Sequence, residues 1–231
     1  MIIGVLKEPS PETRVSLVPE VVQALSKMNV TVWMEKDAGA SAFFNDDSYL
    51  KAGAEIKDRN SIVLQADVVL AIHPEAVADV PSTKTILGIY QPLFNYDQMK
   101  AWAQNNITAF SLDTIPRTTR AQAMDVLSSQ ANIAGYKAVL LAATQYCRYF
   151  PMFMTAAGSI PPAKVLILGA GVAGLQAIAT ARRLGAVVEV FDTRPAVKEE
   201  VQSLGAKFIE VEGAADASKA GGYAVEQSEA F

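Results

Sequence analysis

The chain has 231 residues, of which 51% are hydrophobic; this is enough for a sizeable core and predicts two domains. Its formal net charge of −4 argues against a nucleic-acid partner, because contacts to a phosphate backbone need clustered lysine and arginine. A single cysteine, Cys147, excludes an internal disulfide, and with a single histidine the sequence offers no metal-ligand cluster of the usual spacing.

Apolar runs rich in β-branched residues alternate with helical patterns in the first half of the chain. Buried strands are predicted at IIGVLK (2–7), VTVWME (30–35), VVLAI (68–72), TILGIY (85–90) and ITAFSL (107–112). Helices are predicted at VPEVVQALSKM (18–28) and NYDQMKAWAQNN (95–106). Because such alternation is typical of a parallel sheet covered by helices, we predict an N-terminal α/β domain over residues 1–118.

The sequence predicts no direct membrane insertion. MIIGVLKEPS has no basic stretch before its short apolar run, which indicates a first strand rather than a signal peptide. No uncharged apolar run approaches the roughly 18 residues that a bilayer-spanning helix needs. This prediction is compatible with a membrane-bound partner.

The stretch PRTTRAQAMD (116–125) precedes an alanine-rich segment. Thr119 and Gln122 have the spacing of a capping box, which predicts that Thr119 begins a helix. Residues 119–150 contain no proline and one glycine, Gly135, so we predict a single long helix that connects two domains. Cys147 is then a small core residue of that helix.

A break marked by proline and glycine (151–163) introduces a second α/β segment, residues 151–231. Strands are predicted at KVLILG (164–169), VVEVFD (187–192) and KFIEV (207–211), with helices over 172–184 and from Pro195. This order is the first half of a dinucleotide-binding fold. The predicted class is therefore α/β, with two Rossmann-like parallel-sheet domains joined by a long helix and the second domain incomplete in this chain.

The first strand of that segment ends in the motif GxGxxG, at Gly169, Gly171 and Gly174. The first glycine of this motif makes a tight turn, the second lets a diphosphate approach the backbone, and the third lets the helix pack closely. The helix N-terminus offers free N–H groups to the phosphates. Spaced glycines also occur at purely structural turns, but the strand before them, the helix after them and an acidic residue on the next strand together predict dinucleotide binding.

That acidic residue is Asp192. At the end of its strand it is placed to accept hydrogen bonds from the adenosine ribose and to repel a 2′-phosphate, which predicts NAD(H) rather than NADP(H). Arg194 leaves this preference open, because a nearby guanidinium can pair with that phosphate. Arg194 could also be a surface charge beside the helix that Pro195 begins.

Three segments together resemble the NAD(H)-binding domain I of proton-translocating NAD(P) transhydrogenase: GVLKEPSPETRVSLVP, PRTTRAQAMDVLSSQANIAGYKAV and GAGVAGLQAIATARRLGAVVEVFDTRP. The similarity covers essentially the whole chain, and alanine dehydrogenases share both domains. The resemblance implies that this chain binds NAD(H), that it forms a homodimer, and that a partner domain III carries NADP(H) while a membrane domain II couples hydride transfer to proton movement. It also implies a peripheral location, on the cytoplasmic face of the plasma membrane in a bacterium or on the matrix side in a mitochondrion.

The resemblance assigns the nicotinamide end of the site to Arg117, Gln122 and Asp125, which would orient the ring. Direct hydride transfer between two nicotinamides needs alignment rather than a general acid or base, so orienting groups suffice. From the helical pattern alone, Gln122, Asp125, Ser129 and Asn132 form a polar stripe, which is more typical of a solvated face.

The segment AGGYAVEQ (220–227) matches a mobile loop that closes over bound nucleotide in the family. A Gly-Gly pair makes such a hinge physically reasonable, although a structureless tail has similar composition. The residues predicted to bind the cofactor are Gln122, Ala123, Met124, Asp125, Gly169, Gly171, Val172, Gly174, Asp192, Thr193, Arg194, Gly222 and Tyr223.

The sequence departs from the family pattern in two respects. Leu6 and Pro11 stand where relatives usually carry proline and asparagine, and the chain stops at Phe231, which predicts a fragment, a split gene or a truncation. An alanine dehydrogenase would need a lysine and a histidine where this chain has His73 and Gln91. A third interpretation is a non-catalytic NAD-binding module. The presence of Arg117, Gln122 and Asp125 argues against it.

Overall fold

The computed structural model describes residues 1–116 and 118–211, which form two compact units. The first unit covers Met1–Asp125, and the second begins at Val126. Each unit contains a parallel sheet with helices packed on it. The predicted α/β class is therefore confirmed.

The first unit is built on a six-stranded parallel sheet. Its strands are β1 (Ile2–Val5), β2 (Thr31–Glu35), β3 (Glu55–Lys57), β4 (Val68–Leu70), β5 (Thr85–Gly88) and β6 (Thr108–Ser111), and its helices are α1 (Pro19–Lys27), α2 (Asp46–Lys51), α3 (Arg59–Gln65) and α4 (Tyr96–Gln104). The strand order is β3-β2-β1-β4-β5-β6. Neighbouring β4 residues Val69 and Leu70 belong to different core clusters, as expected for a strand buried on both faces.

Two α-helices and one strand of the first unit, α2, α3 and β3, are among the elements that the sequence patterns do not predict. Both helices carry side-chain caps that the sequence could have revealed. The side chain of Asn45 accepts a hydrogen bond from the Ser48 N–H at 3.0 Å, and that of Asp58 accepts one from the Ser61 N–H at 2.9 Å. Asparagine and aspartate are preferred at this position because they satisfy an otherwise unpaired backbone donor.

The second unit contains a three-stranded parallel sheet and a separate hairpin. The sheet has the order β11-β10-β9, with β9 (Lys164–Leu168), β10 (Val187–Phe191) and β11 (Lys207–Phe208). The helices are α5 (Val126–Gln145), α6 (Val172–Arg183) and α7 (Lys198–Ser203), and the antiparallel hairpin pairs β7 (Phe153–Thr155) with β8 (Gly158–Ile160). The predicted break over 151–163 thus contains regular structure.

The predicted helix over 119–150 is shorter in the structure. Residues Thr119–Met124 form a 3-10 helix, and the α-helix begins only at Val126 and ends at Gln145. Thr119 therefore lies inside the 3-10 helix rather than at a cap, and the capping-box prediction is wrong. Gln122 and Asp125 precede the α-helix that carries Ser129 and Asn132, so the four do not form one helical stripe. Cys147 follows α5 and is exposed rather than part of a core.

Helix α5 packs directly against α6 within the second unit. A β-carbon at Gly135 would lie 2.0 Å from the backbone oxygen of Ala173, so the two helices cross with backbone nearly in contact. The side chain of Asn132 donates a hydrogen bond to that of Gln176 at 3.3 Å, and Val139 joins the core beneath α6. Helix α5, which is the part Val126–Gln145 of the predicted connector 119–150, is thus a packed element of the second unit.

Strand β9 lies at the edge of the described three-stranded sheet. Alternate residues of β9 are exposed: Leu166 keeps 60% and Leu168 keeps 75% of its accessible surface. All six residues of the β7–β8 hairpin are exposed as well. In the part of the chain that the structure describes, no helix is both long and apolar enough to cross a bilayer.

Candidate functional site

The turn after β9 has the geometry that the glycine motif predicts. Gly169 has a φ of +94°, a left-handed conformation that residues with a side chain rarely adopt. Its N–H donates to the carbonyl oxygen of Phe191 at 2.8 Å, which ties the turn to the end of β10. The chain then enters α6, with Gly171 as the residue that precedes its first turn.

The two later glycines have different surroundings. A β-carbon at Gly174 would lie 1.9 Å from the carbonyl oxygen of Gly169, so the first turn of α6 packs on the loop backbone. At Gly171, apart from the glycine itself and its chain neighbours, no atom of the described residues lies within 4 Å of the corresponding position. The loop is thus tightly packed beneath Gly174 and open in front of Gly171, which fits a diphosphate bound at the N-terminus of α6.

Asp192 follows β10 and connects the two strand ends. Its Oδ2 atom accepts hydrogen bonds from the Ala170 N–H at 2.7 Å and from Nη2 of Arg194 at 2.9 Å. Its Oδ1 atom accepts from the Arg194 N–H at 2.8 Å and from Nε of Arg194 at 2.9 Å. Asp192 therefore orients the glycine loop through Ala170, a role that the sequence did not reveal, because the residue between the first two glycines has no conspicuous side chain.

The carboxylate of Asp192 stays ionised into strong acid. Burial alone would raise its pKa, but hydrogen bonds from the Arg194 side chain and from the N–H groups of Ala170 and Arg194 outweigh burial and lower the pKa to about 2. Since the ordinary value is 3.8, ionised Asp192 stabilises the fold fully above pH 3.8, and this stabilisation is lost as the pH falls towards 2.

We expect Asp192→Asn to reduce the acid sensitivity of the second unit. The pKa difference corresponds to at most about 2 kcal/mol of stability, lost between about pH 4 and pH 2. The measurement is the free energy of unfolding at pH 6 and at pH 2.5 in both proteins. The two proteins have all other carboxylates in common. The wild type should therefore lose more stability between these pH values than the variant does. Equal losses would show that the Asp192 pKa is not lowered.

The residues predicted at the nicotinamide end lie in the 3-10 segment of the first unit. Gln122, Ala123 and Met124 are exposed, and Asp125 is half-buried at the point where the 3-10 helix ends. Of the remaining predicted residues, Val172 opens α6 and Thr193 lies between Asp192 and Arg194. Arg117, Gly222 and Tyr223 lie outside the described residues.

A polar cluster beside β1 and β4 was not recognised from the sequence. The carboxylate of Glu8 is buried and accepts hydrogen bonds from the N–H groups of Ile72 at 2.5 Å and His73 at 3.2 Å. Desolvation by burial raises the Glu8 pKa. Oε2 of Glu12 pairs with Nε2 of His73 at 2.7 Å, and both line a cleft of about 440 Å³. The available signal was that Glu8 and His73 each directly follow an apolar run predicted as a strand, 2–7 and 68–72, and that β1 and β4 are parallel neighbours.

Together, the parallel sheet, the glycine turn and the acidic residue after the second strand are the features typical of dinucleotide-binding α/β proteins. Comparison with known protein families gives a more specific classification of the chain. The model described as "Alanine dehydrogenase/PNT, N-terminal domain" matches residues 4–134, and "Alanine dehydrogenase/PNT, C-terminal domain" matches residues 138–230. The chain belongs to the alanine dehydrogenase/PNT family.

Both transhydrogenase subunits and alanine dehydrogenases are among the relatives that match the chain. An NAD(P) transhydrogenase alpha-subunit protein of Rhodospirillum rubrum is 46% identical, covering 100% of this chain and 63% of the relative. An alanine dehydrogenase from Staphylococcus saprophyticus is 30% identical, covering 88% of this chain and 56% of the relative. A crystal structure of transhydrogenase from Sinorhizobium meliloti has a TM-score of 0.86 and 47% identity, covering 91% of this chain and 64% of that one. The chain thus spans less than two thirds of the length of these relatives.

Proposed function

We propose that this chain is the NAD(H)-binding component of a proton-translocating transhydrogenase. In this proposal a hydride passes directly between NAD(H) held here and NADP(H) held by a partner domain III, and a membrane domain II couples the step to proton movement. The observation that supports it most strongly is the glycine turn, with open space in front of Gly171 and close packing beneath Gly174. The identity to transhydrogenase subunits, 46% for one of them, favours this activity over the others in the family.

The described residues at the turn fit the diphosphate of NAD(H). The uncapped first turn of α6 presents backbone N–H groups and the positive end of the helix dipole to an anion. Arg182 and Arg183 in the last turn complement the opposite end of the dipole. Asp192 and Arg194 would then contact the adenosine ribose, with Val172 and Thr193 beside the dinucleotide.

At the other end of the cofactor, Gln122 and Asp125 would orient the nicotinamide, with Ala123 and Met124 contributing backbone and apolar contact. NAD(H) supplies the hydride chemistry when it is bound. The protein's part is to align the donor and acceptor carbons, since alignment of bound reactants can account for most of such a rate enhancement. The exposed position of Gln122 is consistent with a side chain that a ligand can reach. Arg117, Gly222 and Tyr223 are proposed for the same site from the family resemblance.

Substitution of Gln122 by asparagine tests this orienting role. We expect turnover to fall by more than about tenfold while the dissociation constant for NADH changes by less than about threefold, because the shorter amide misplaces the ring without removing the diphosphate site. The assay mixes the intact protein with a transhydrogenase domain III and follows reduction of an NAD analogue by NADH in the presence of NADP. Gln104→Asn, at an exposed glutamine of α4, is the matched control. An equal effect on turnover and on binding would contradict the orienting role.

The same protein preparation can also be assayed for alanine dehydrogenase activity, the other activity named in the family. An alanine dehydrogenase would oxidise L-alanine with NAD in the absence of any partner, so turnover only in that assay would overturn the proposed function. At the two positions where an alanine dehydrogenase would need a lysine and a histidine, this chain has His73 and Gln91. His73 is hydrogen-bonded to Glu12, and Gln91 lies outside the strands with a left-handed φ of 47°. Binding of NADH without turnover in either assay would favour a non-catalytic NAD-binding module.

A homodimer is part of the proposal and is supported by the β7–β8 hairpin. Met152, Phe153 and Met154 keep 60%, 44% and 76% of their accessible surface, which makes this hairpin an exposed apolar surface. We expect Met154→Ser to shift the protein from dimer to monomer at micromolar concentration, as measured by light scattering. Leu93→Ser, at an apolar residue of the first unit that is 88% exposed, should leave the mass unchanged. A dimer that persists in the Met154 variant would exclude the hairpin as its interface.

The location proposed for this component follows from its partners. It would lie on the cytoplasmic face of the plasma membrane if the source is bacterial, or on the matrix side if it is mitochondrial. Attachment would depend on the membrane domain II. Co-sedimentation with membranes that contain that domain, and not with membranes that lack it, is the result expected.

A further inference from the structure

The carboxylate of Asp192 has its hydrogen-bonding capacity filled in the structure. An ionised carboxylate offers about four acceptor positions. The N–H groups of Ala170 and Arg194 fill two of them, and Nε and Nη2 of the Arg194 side chain fill the other two. The Asp192 side chain is 6% exposed and that of Arg194 is 22% exposed, so the guanidinium is the part of this arrangement that solvent reaches.

The adenosine ribose of NAD(H) competes for the same positions. Its two hydroxyl groups are the donors that an acidic residue at this place in the fold binds. The two backbone N–H groups are fixed by the glycine loop and by the turn after β10, whereas the Arg194 side chain can rotate away. Two ribose hydroxyls can therefore replace two guanidinium N–H groups one for one. NADP(H) cannot make this exchange, because its 2′ position carries a phosphate with no strong donor.

We propose that Arg194 is a latch on Asp192 that sets the preference of this site between NAD(H) and NADP(H). The inference rests on the proposed function and names a specificity-determining residue within it. When NAD(H) binds, the guanidinium leaves Asp192, and breaking that ion pair weakens NAD(H) binding. When NADP(H) is offered, the guanidinium stays between the carboxylate and the 2′-phosphate and reduces their repulsion. The latch thus lowers the affinity for NAD(H) and relaxes the discrimination against NADP(H).

The test compares NADH and NADPH, which differ only by the 2′-phosphate, in the intact protein. Dissociation constants are measured by the fluorescence of each nucleotide for the wild type, Arg194→Ala and Arg194→Lys. For the alanine variant we expect NADH to bind at least about threefold more tightly and NADPH about tenfold more weakly. The lysine variant keeps the charge but lacks the planar guanidinium that pairs Nε and Nη2 with the two carboxylate oxygens. It should retain NADPH binding near the wild-type level while binding NADH more tightly.

A second readout needs no nucleotide. Carboxyl NMR should give an Asp192 pKa of about 2 in the wild type and a higher pKa in Arg194→Ala, because burial then acts without the guanidinium. An unchanged pKa would overturn the latch, and so would an unchanged ratio of the two dissociation constants. Equal weakening of both nucleotides in Arg194→Ala would also overturn it, by showing a contact to the part that they share. If the wild type binds neither nucleotide, the proposed function and the latch both fail; if NADH binds and the ratio does not change, the latch alone fails.

Discussion

Replacing Gly174 by alanine is expected to destabilise the second unit by about 3 kcal/mol or more and to abolish NADH binding with it. The added β-carbon would lie 1.9 Å from the carbonyl oxygen of Gly169. That oxygen belongs to the backbone of a turn whose φ of +94° restricts its movement, so no flexible side chain can relieve the overlap. The helix must move away from the sheet, and the loop must lose its packing.

Alanine at Gly171 is the matched control for that change. Its φ of −79° is ordinary for any residue, and the position of the added methyl group is open. Stability should therefore stay within about 0.5 kcal/mol of the wild type. NADH binding should nonetheless weaken by about 100-fold or more, because the methyl group occupies the space through which the diphosphate approaches the backbone.

Hydrogen exchange over residues 164–191, together with NADH titration, separates the two variants. Exchange should rise in the Gly174 variant and stay at the wild-type rate in the Gly171 variant, while both lose affinity. If the Gly171 variant bound NADH normally, the diphosphate would not lie in front of that glycine, and the proposed site would be wrong. If the Gly174 variant were as stable as the wild type, the close contact with Gly169 would not exist in solution.

Alanine at Gly135 is the second change with a large expected effect. Helix propensity alone predicts a gain of about 1 kcal/mol, because glycine is a poor residue inside a helix. The structure predicts the opposite, since the new methyl group would lie 2.0 Å from the backbone oxygen of Ala173 and push α5 away from α6. We expect a net loss of about 2–3 kcal/mol.

Ala134→Gly, at the exposed neighbouring position of the same helix, measures propensity without the contact. It should cost about 1 kcal/mol and leave NADH binding intact. Chemical denaturation of the three proteins gives both numbers. A stabilised Gly135→Ala variant would mean that α5 and α6 do not cross at this residue.

The sequence predicted the elements whose apolar patterns are long. Each predicted strand of the first unit is present, although four of the five end one or two residues earlier than predicted. The short elements α2, β3 and α3 were missed because each has seven residues or fewer and too little periodicity to stand out. Composition could not show that the alanine-rich segment changes from a 3-10 helix to an α-helix at Asp125, since this depends on backbone geometry.

The candidate site, too, could be predicted from the sequence only in part. The positions of Gly169, Gly171 and Gly174 follow from a local motif, so spacing in the sequence was sufficient to predict their arrangement. The hydrogen bond from the Ala170 N–H to Asp192 joins two strand ends that are distant in the chain, and only the folded sheet brings them together. The sequence left two readings of Arg194, pairing with a 2′-phosphate or a surface charge; in the structure its guanidinium is hydrogen-bonded to Asp192.

The exposed side of β9 also affects how the protein can be handled. Among the described residues β9 is an edge strand with Leu166 and Leu168 exposed, and an edge strand of this kind is a template on which another chain can add a strand. Such an addition presents a new edge in turn, so growth through β9 need not stop at two copies. A polypeptide that paired with β9 would therefore protect the protein from aggregation as well as extend its sheet.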